Sequence, residues 1–91
     1  MNNTLKKALK AQAHHINPVI LMGGKGLTPT VIMATEEALI AHELIKVKLI
    51  GDQKSDRMAI AKDLCAATQA DLVQIIGHIA IIYRKNPSRL S

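Results

Sequence analysis

The feature that most constrains the fold of this chain is an apolar strand that runs directly into a glycine-rich loop and a helix start. Residues 19–22 have the length and composition of a short buried strand. Residues 23–26 read Gly-Gly-Lys-Gly, and Thr28 followed by Pro29 matches a helix N-cap with proline at the first helical position. The segment therefore predicts a strand, a tight turn and a helix in immediate succession, as in α/β folds.

The same loop has the chemistry of a phosphate-binding turn. Gly23, Gly24 and Gly26 lack the Cβ atoms that would keep a ligand away from the main chain. Lys25 adds positive charge, and the loop precedes a helix whose N-terminus carries the positive end of the dipole. Phosphate, either free or in a nucleic-acid backbone, is therefore the leading ligand class.

Two well-known phosphate motifs do not fit this loop. The P-loop pattern fails because Lys25 is followed by Gly26 at the wrong spacing, and the dinucleotide fingerprint meets Pro29 where its third glycine belongs. What remains is a G-x-x-G loop from Gly23 to Gly26, the type that clamps nucleic-acid backbone in KH modules. A plain strand-to-helix turn with an exposed lysine would have the same sequence, so the loop alone leaves both interpretations open.

The rest of the chain divides into helix-like and strand-like segments. The predicted elements after and around the loop are a first helix at 4–16, a helix at 29–42, a strand at 44–50, a helix capped by Asp52 or Ser55 and ending near Thr68, and strands at 71–76 and 79–84. Gly77 and His78 suit a two-residue hairpin turn. The order α-β-α-β-α-β-β predicts a single compact α/β domain with a mixed four-stranded sheet.

Two stripes of apolar residues give the predicted core. In the strand at 44–50, Ile45, Val47 and Leu49 should face one side of the sheet while Lys46 and Lys48 face the other. In the third helix we expect the inward stripe to be formed by Ile60, Leu64 and Ala67. Two lysines on an open sheet face can contact phosphate.

Length and cysteine count bound the class of protein. The chain has 91 residues, enough for one core, and we expect a domain at 1–85 and a flexible basic tail at 86–91. The single Cys65 excludes an internal disulfide and fits a reducing compartment. No apolar run approaches the roughly 20 residues that a membrane span needs, and the basic N-terminus has no apolar signal core. We therefore expect a cytoplasmic protein without a membrane partner.

The two ends of the chain are purely cationic and its middle is net acidic, while the chain as a whole has a net charge of +5 at pH 7. Residues 1–35 and 72–91 contain no acid, and all seven acids lie between Glu36 and Asp71. This distribution is expected if both termini and the loop share one face directed at a polyanion. A generally basic surface is the alternative, but it would normally place some acids in the flanks.

Aromatic and histidine residues narrow the function further. Tyr83 is the only aromatic residue, so a base-stacking platform is hard to build and a nucleic acid would be held mainly by backbone and shape. His14 and His15 are adjacent and point about 100° apart on a helix, so they cannot share a metal as an i, i+4 pair would. No nucleophile or metalloprotease motif is present. We therefore expect no metal, no cofactor and no catalysis.

Several separated blocks, in a fixed order, carry a resemblance to a known family. They are Leu9-Lys10-Ala11-Gln12-Ala13-His14, Pro18-Val19, Gly23-Gly24-Lys25-Gly26-Leu27-Thr28, Ala38-Leu39, His42-Glu43-Leu44-Ile45-Lys46-Val47-Lys48, Gly77 and Tyr83-Arg84. On these blocks, residues 5–84 resemble the bacterial stand-alone CRM domain, the YhbY-type family of RNA splicing and ribosome maturation.

The resemblance implies a fold, a partner and a role. The fold would be similar to the C-terminal domain of a bacterial translation initiation factor, and the G-x-x-G loop would contact RNA. Bacterial members are associated with precursors of the large ribosomal subunit, so a non-catalytic assembly factor that binds ribosomal RNA is implied. We expect no DNA partner and a monomer.

The candidate RNA-binding residues combine the loop with the basic residues around it. They are Gly23, Gly24, Lys25, Gly26, Lys6, Lys7, Lys10, His14, Lys46, Lys48, Arg84, Lys85 and Arg89. Two other functions stay open at this point. One is a protein-interaction module that docks on a ribosomal protein or another acidic partner. The other is a small phosphometabolite-binding protein or enzyme, which would need a closed pocket at the loop.

Overall fold

The computed structural model describes residues 2–18 and 20–86, which form three helices and four strands. The elements in chain order are α1 (Asn3–Ala13), β1 (Ile20–Leu21), α2 (Pro29–His42), β2 (Leu44–Lys48), α3 (Lys54–Thr68), β3 (Asp71–Ile76) and β4 (Ile79–Tyr83). The predicted order of elements is confirmed. Val19 and the residues 87–91 of the predicted tail, Arg89 among them, lie outside the described residues.

The four strands form one mixed sheet in the order β1-β2-β4-β3. β1 pairs with β2 in parallel, while β4 lies between β2 and β3 and is antiparallel to both. An irregularity in β3 between Leu72 and Gln74 shifts the register by one residue, as a β-bulge does. The mixed four-stranded sheet predicted from the sequence is confirmed, with the final hairpin inserted so that β2 pairs with β4.

One face of the sheet is covered by α2 and α3, and the main core lies there. Ile45, Val47 and Leu49 are buried, as the alternation in β2 predicts, and they pack with Leu39 of α2 and Leu64 of α3. Burial of aliphatic side chains of this size contributes roughly 1.5–3 kcal/mol each. This face therefore supplies most of the apolar stabilisation of the domain.

The opposite face of the sheet is covered only in part, by α1. Leu9 and Ala13 of α1 are buried against Val73 and Ile81, with Leu44 packed at the rim of the cluster. α1 contacts β2 and β3. The smaller core on this side therefore occupies the end of the face where β2 begins, and it places α1 on the same side as the outward side chains of β2.

Two helix starts illustrate a correct and a wrong prediction. α2 begins at Pro29, and the Thr28 hydroxyl accepts a hydrogen bond from the Val31 N–H at 3.2 Å, as predicted. α3 begins after Gln53, whose side chain makes no capping bond, so the predicted caps are wrong. The Gln53 carbonyl instead accepts from the N–H groups of Asp56 and Arg57, both at 3.1 Å.

The buried stripe of α3 also differs from the prediction. Leu64 is buried as expected, but Ala67 is exposed, and the stripe continues through Cys65 and Thr68. Thr68 is fully buried. Its hydroxyl donates to the Leu64 carbonyl at 2.8 Å, so burial leaves no polar group without a partner. The apolar pattern alone did not predict that Thr68, rather than Ala67, lies on the inward face of α3.

α1 is shorter than predicted. Asn2 caps it through a 2.7 Å hydrogen bond from the Leu5 N–H to its side chain, and the helix ends at Ala13 rather than Ile16. The N–H groups of His14 and the two following residues bond to carbonyls three residues back, which is the tightened geometry of a helix end. Among the described residues, no helix is both long and apolar enough to cross a membrane.

Candidate nucleic-acid interface

The glycine-rich loop lies at one edge of the sheet, together with two other chain turns. It follows the end of β1, which runs parallel to β2, so the end of β2 lies at the same edge. The hairpin between β3 and β4 also reaches this edge, because the Leu49 N–H donates to the His78 carbonyl. We call this region the loop edge and define it by Gly23–Gly26, Lys48–Ile50 and Gly77–His78.

A backbone hydrogen bond closes the loop into a tight turn. The Gly26 N–H donates to the Gly23 carbonyl at 3.0 Å, so Gly24 and Lys25 occupy the centre of the turn. Gly26 has a φ of +73°, a conformation that L side chains rarely adopt. A Cβ added there would lie 3.5 Å from the Ile50 Cδ1. Glycine at position 26 is therefore explained by the fold itself.

The other two loop glycines have a different setting. A Cβ atom added at Gly23 or at Gly24 would meet nothing within 4 Å, and neither residue has a positive φ. Both are exposed, as is Lys25. In the part of the chain that the structure describes, the N–H groups of Gly24 and Lys25 donate to no protein acceptor. These donors and the lysine therefore face outward and are free to bind a ligand.

The loop borders an open cleft of about 390 Å³. The first turn of α2 forms the other side through Thr28, Thr30 and Val31. The N-terminus of α2 adds its positive dipole to the charge of Lys25. Because the cleft is open, it suits a group on an extended polymer better than a small metabolite. The phosphometabolite hypothesis requires a closed pocket.

The two lysines of β2 lie on the sheet face that α1 covers in part. Lys48 is exposed and Lys46 is half-buried, while Ile45 and Val47, which alternate with them, point into the main core. The Lys48 carbonyl accepts a hydrogen bond from the Met22 N–H at 3.0 Å. This bond joins the end of β2 directly to the residue that precedes the loop.

The basic residues of α1 lie on the same side of the sheet as the β2 lysines. Lys7 and His14 are exposed, whereas Lys6 and Lys10 are half-buried. The packing of Leu9 against the partly covered face determines this placement. The structure thus brings the cations of α1 and β2 to one side, which the sequence could only propose.

Arg84 lies at the opposite edge of the sheet and is engaged within the protein. It follows the end of β4, and its N–H bonds to the Glu43 carbonyl at the start of β2. Its Nη1 lies 2.9 Å from both carboxylate oxygens of Glu36 and 2.7 Å from the Thr68 carbonyl. Lys85 is exposed beside it. The structure therefore does not bring Arg84 and Lys85 together with the loop.

Asn86, the first residue of the predicted flexible tail, is held in place. Its backbone N–H donates to the Glu43 carboxylate at 2.8 Å, and its side-chain amide donates to the Ile40 carbonyl at 2.9 Å. These bonds tie Asn86 to the end of α2 and to the residue that follows it. Their physical reason is that Asn86 satisfies carbonyl and carboxylate groups where α2 ends.

Three aliphatic residues near the loop were not predicted as part of the candidate interface. Leu21, Ile76 and Ile79 face the same side of the sheet as Lys48, and Leu21 and Ile76 are 70% and 50% exposed. The signal was present as the strand period, since Leu21 alternates with the inward Ile20. Hydrophobicity by itself does not indicate which strand residues are exposed.

The described residues contain no group of three or more His, Cys, Asp or Glu that could hold a metal ion. Cys65 is buried, and burial, together with the negative charge of Asp71, raises the pKa of its thiol to about 11. A thiol that stays protonated in this way is a poor nucleophile. Cys65 thus acts as a small packing residue.

Comparison with known proteins connects this geometry to a family. The model of the family described as the CRS1 / YhbY (CRM) domain matches residues 1–84. A protein of Pseudomonas aeruginosa named a probable RNA-binding protein is 49% identical over 82 residues, which cover 90% of this chain and 79% of that protein. A protein of Haemophilus influenzae named an RNA-binding protein is 47% identical over 79 residues, covering 87% and 80%.

A solved structure shows the same fold. The solution structure of a hypothetical protein from Staphylococcus aureus, proposed to bind RNA, superposes with a TM-score of 0.84 at 33% sequence identity. The superposition covers 93% of this chain and 88% of that one. The arrangement of the three helices on the mixed sheet is therefore shared with that protein.

Proposed function

Because the chain belongs to the CRS1 / YhbY (CRM) domain family, we propose that it binds RNA and that the loop at 23–26 contacts the RNA backbone. The relatives named as RNA-binding proteins support the class of partner. The open, basic loop edge supports the place of contact.

The proposed contact between the loop and the RNA backbone rests on the setting of two glycines. The fold does not require glycine at Gly23 or Gly24, since a Cβ at either position would meet only open space. A requirement for close approach by an external backbone explains both glycines, because a phosphate can then reach the outward N–H groups of Gly24 and Lys25. The Lys25 ammonium adds a charge-assisted contact to the same phosphate or its neighbour.

The strand and helix cations extend this footprint on the partly covered side of the sheet. Lys48 is joined to the loop by the Met22 hydrogen bond, and Lys46 lies one outward position further along β2. Lys7 and Lys10 on α1 continue the positive surface. We leave Arg84 out of the contact surface, because its guanidinium is held by Glu36 and Thr68.

We propose further that the ligand is ribosomal RNA in a precursor of the large ribosomal subunit, bound by a monomer in the cytoplasm. The family resemblance supports the assembly role. RNA rather than DNA is proposed because the named relatives are RNA-binding proteins.

The binding proposal is tested by measuring affinity for a structured ribosomal RNA fragment over a range of salt concentrations. Lys25→Glu should weaken binding and lower the salt slope, since fewer counterions are released when one phosphate contact is lost. Lys62→Glu is the matched control, because Lys62 is an exposed lysine on α3, on the far side of the sheet. Equal losses in the two variants would contradict a specific role for the loop.

The ribosomal proposal is tested by sedimentation of cell lysate at low and high salt. Co-migration with large-subunit precursors that is lost in high salt and in Lys25→Glu would support RNA binding through the loop. Co-migration that survives both would indicate a protein partner. A protein found only at the top of the gradient would exclude the ribosomal role.

A further inference from the structure

A row of four side chains crosses the whole sheet next to the loop. In the strand register, Leu21 of β1 lies beside Lys48 of β2, Lys48 beside Ile79 of β4, and Ile79 beside Ile76 of β3. All four point to the face that α1 covers in part. With strands about 4.8 Å apart, this outer row spans about 14 Å.

α1 leaves the outer row uncovered. The helix packs on Ile81 and Val73, with Leu44 and Tyr83 at the rim, and these residues lie toward the far end of the same face. Leu21 is exposed by 70% and Ile76 by 50%, although both are large aliphatic residues. These two residues lie at the two ends of the row, with Lys48 and the half-buried Ile79 between them. Exposed aliphatic side chains gathered on one sheet face indicate an interaction surface.

The chemistry of the outer row is aliphatic and cationic. Lys48 lies in the row, and Lys46 lies behind it at the next outward position of β2. The acid on this face, Asp71, is paired with Tyr83 at the end that lies furthest from the row. A partner that contacts the row therefore needs both negative charge and flat apolar surface, which a nucleotide offers in its phosphate and base.

The outer row is continuous with the loop. Leu21 is separated from Gly23 only by Met22, whose N–H bonds to the carbonyl of Lys48. An RNA strand with its phosphate at the loop can therefore lay an adjacent nucleotide on Leu21 and Lys48 without a break in the contact surface. A separate protein partner would have to occupy the same edge that we assign to RNA.

We propose that the outer row contacts unpaired nucleotides, so that the preferred ligand is RNA with a bulge, internal loop or free end next to the phosphates held at 23–26. This inference rests on the proposed RNA binding at the loop. In a continuous duplex the base faces are stacked inside, and only backbone is offered to a protein. Aliphatic side chains can approach a base face only where the base is unpaired. The contact has little sequence specificity, because every base has an apolar face.

The experiment compares two hairpin RNAs of equal length, one fully paired and one with an internal loop of unpaired uridines. Equal numbers of phosphates keep the electrostatic contribution similar. The wild-type protein should bind the RNA with the internal loop about fivefold more tightly, as expected for partial burial of exposed aliphatic side chains. In the double variant Leu21→Thr with Ile76→Thr, this preference should fall to nearly one, with the salt slope unchanged.

The matched control replaces two residues of similar exposure on the other side of the molecule. Met33 and Ile40 of α2 are exposed by 65% and 54%, and the double variant Met33→Gln with Ile40→Gln should keep the fivefold preference. Equal wild-type affinity for the two RNAs would overturn the inference. A preference that survives in the Leu21→Thr and Ile76→Thr variant would also overturn it and would leave the row as a protein-docking surface. Failure of the wild type to bind either RNA would instead refute the proposed function itself.

Discussion

Lys25 and Arg84 lie at opposite edges of the same sheet and differ in what surrounds them. Lys25 is exposed at the centre of a turn, and no ion-pair partner is found for it among residues 2–18 and 20–86. Arg84 is only 21% exposed and binds Glu36 and the end of α3. The same formal charge is therefore exposed to solvent at one edge and engaged within the fold at the other, and sequence alone does not distinguish the two.

The largest effect should come from removing the structural cation. Arg84→Met should lower the free energy of unfolding by about 1–3 kcal/mol, because the guanidinium bonds to Glu36 and to the Thr68 carbonyl are lost. Chemical denaturation measures this directly. RNA affinity of the folded variant should stay within about twofold of wild type. A large loss of affinity without loss of stability would instead place Arg84 in the RNA-binding surface.

The loop glycines should separate stability from binding. Gly26→Ala should cost about 1–2 kcal/mol of folding free energy, since it forces an L side chain into a positive φ. Gly24→Ala should leave the melting temperature nearly unchanged but weaken RNA binding, because the new methyl group occupies the space that the ligand approaches. Thermal melting and RNA titration of both variants test this pair, and unaltered affinity in Gly24→Ala would contradict the proposed backbone contact.

Lys25→Gln should change binding without changing the fold. Its exposed side chain contributes little to stability, so the free energy of unfolding should move by less than about 0.5 kcal/mol. The affinity for RNA should fall about threefold to tenfold at low salt, and the slope of log affinity against log salt should decrease by about 0.7–0.9. Titrations at several salt concentrations measure both quantities. A slope equal to that of wild type would show that Lys25 does not neutralise a phosphate.

The smallest effect should come from removing the acidic partner of Arg84 while the arginine itself is kept. Glu36→Gln removes the ion pair, whose carboxylate is partly exposed, so the expected loss of stability is about 0.5–1 kcal/mol. The freed charge remains at the edge away from the loop, and RNA affinity should not rise. An increase in affinity together with a steeper salt dependence would show that Arg84 can reach the ligand.

Local sequence signals predicted much of the fold. The Thr28-Pro29 start of α2, the alternation of Ile45 with Lys46 and the Gly77 hairpin turn each depend on a few neighbouring residues. The predicted start of α3 and the predicted end of α1 were wrong. The backbone carbonyl of Gln53 accepts the first hydrogen bonds of α3 in place of the predicted side-chain caps, and a tightened turn after Ala13 ends α1. The hydrogen bonds at these ends are made by backbone groups, which every residue carries, so the exact terminal residue is poorly determined by sequence pattern.

The candidate site was predicted unevenly for a related reason. The exposed loop with Lys25 and the outward Lys46 and Lys48 could be read from glycine content and strand period. The packing side of α1 and the engagement of Arg84 could not, since both depend on residues distant in the chain. Glu36 lies 48 positions from Arg84, and no local pattern connects them.

We propose that RNA is bound at the loop edge and on the adjoining open part of the sheet. The most direct measurement is an NMR titration of the backbone amides with a structured ribosomal RNA fragment. We expect the largest shifts at Gly24, Lys25 and Lys48 and only small shifts at Arg84 and Lys85. Shifts that cluster at Arg84 and Lys85 and leave the loop unaffected would contradict it.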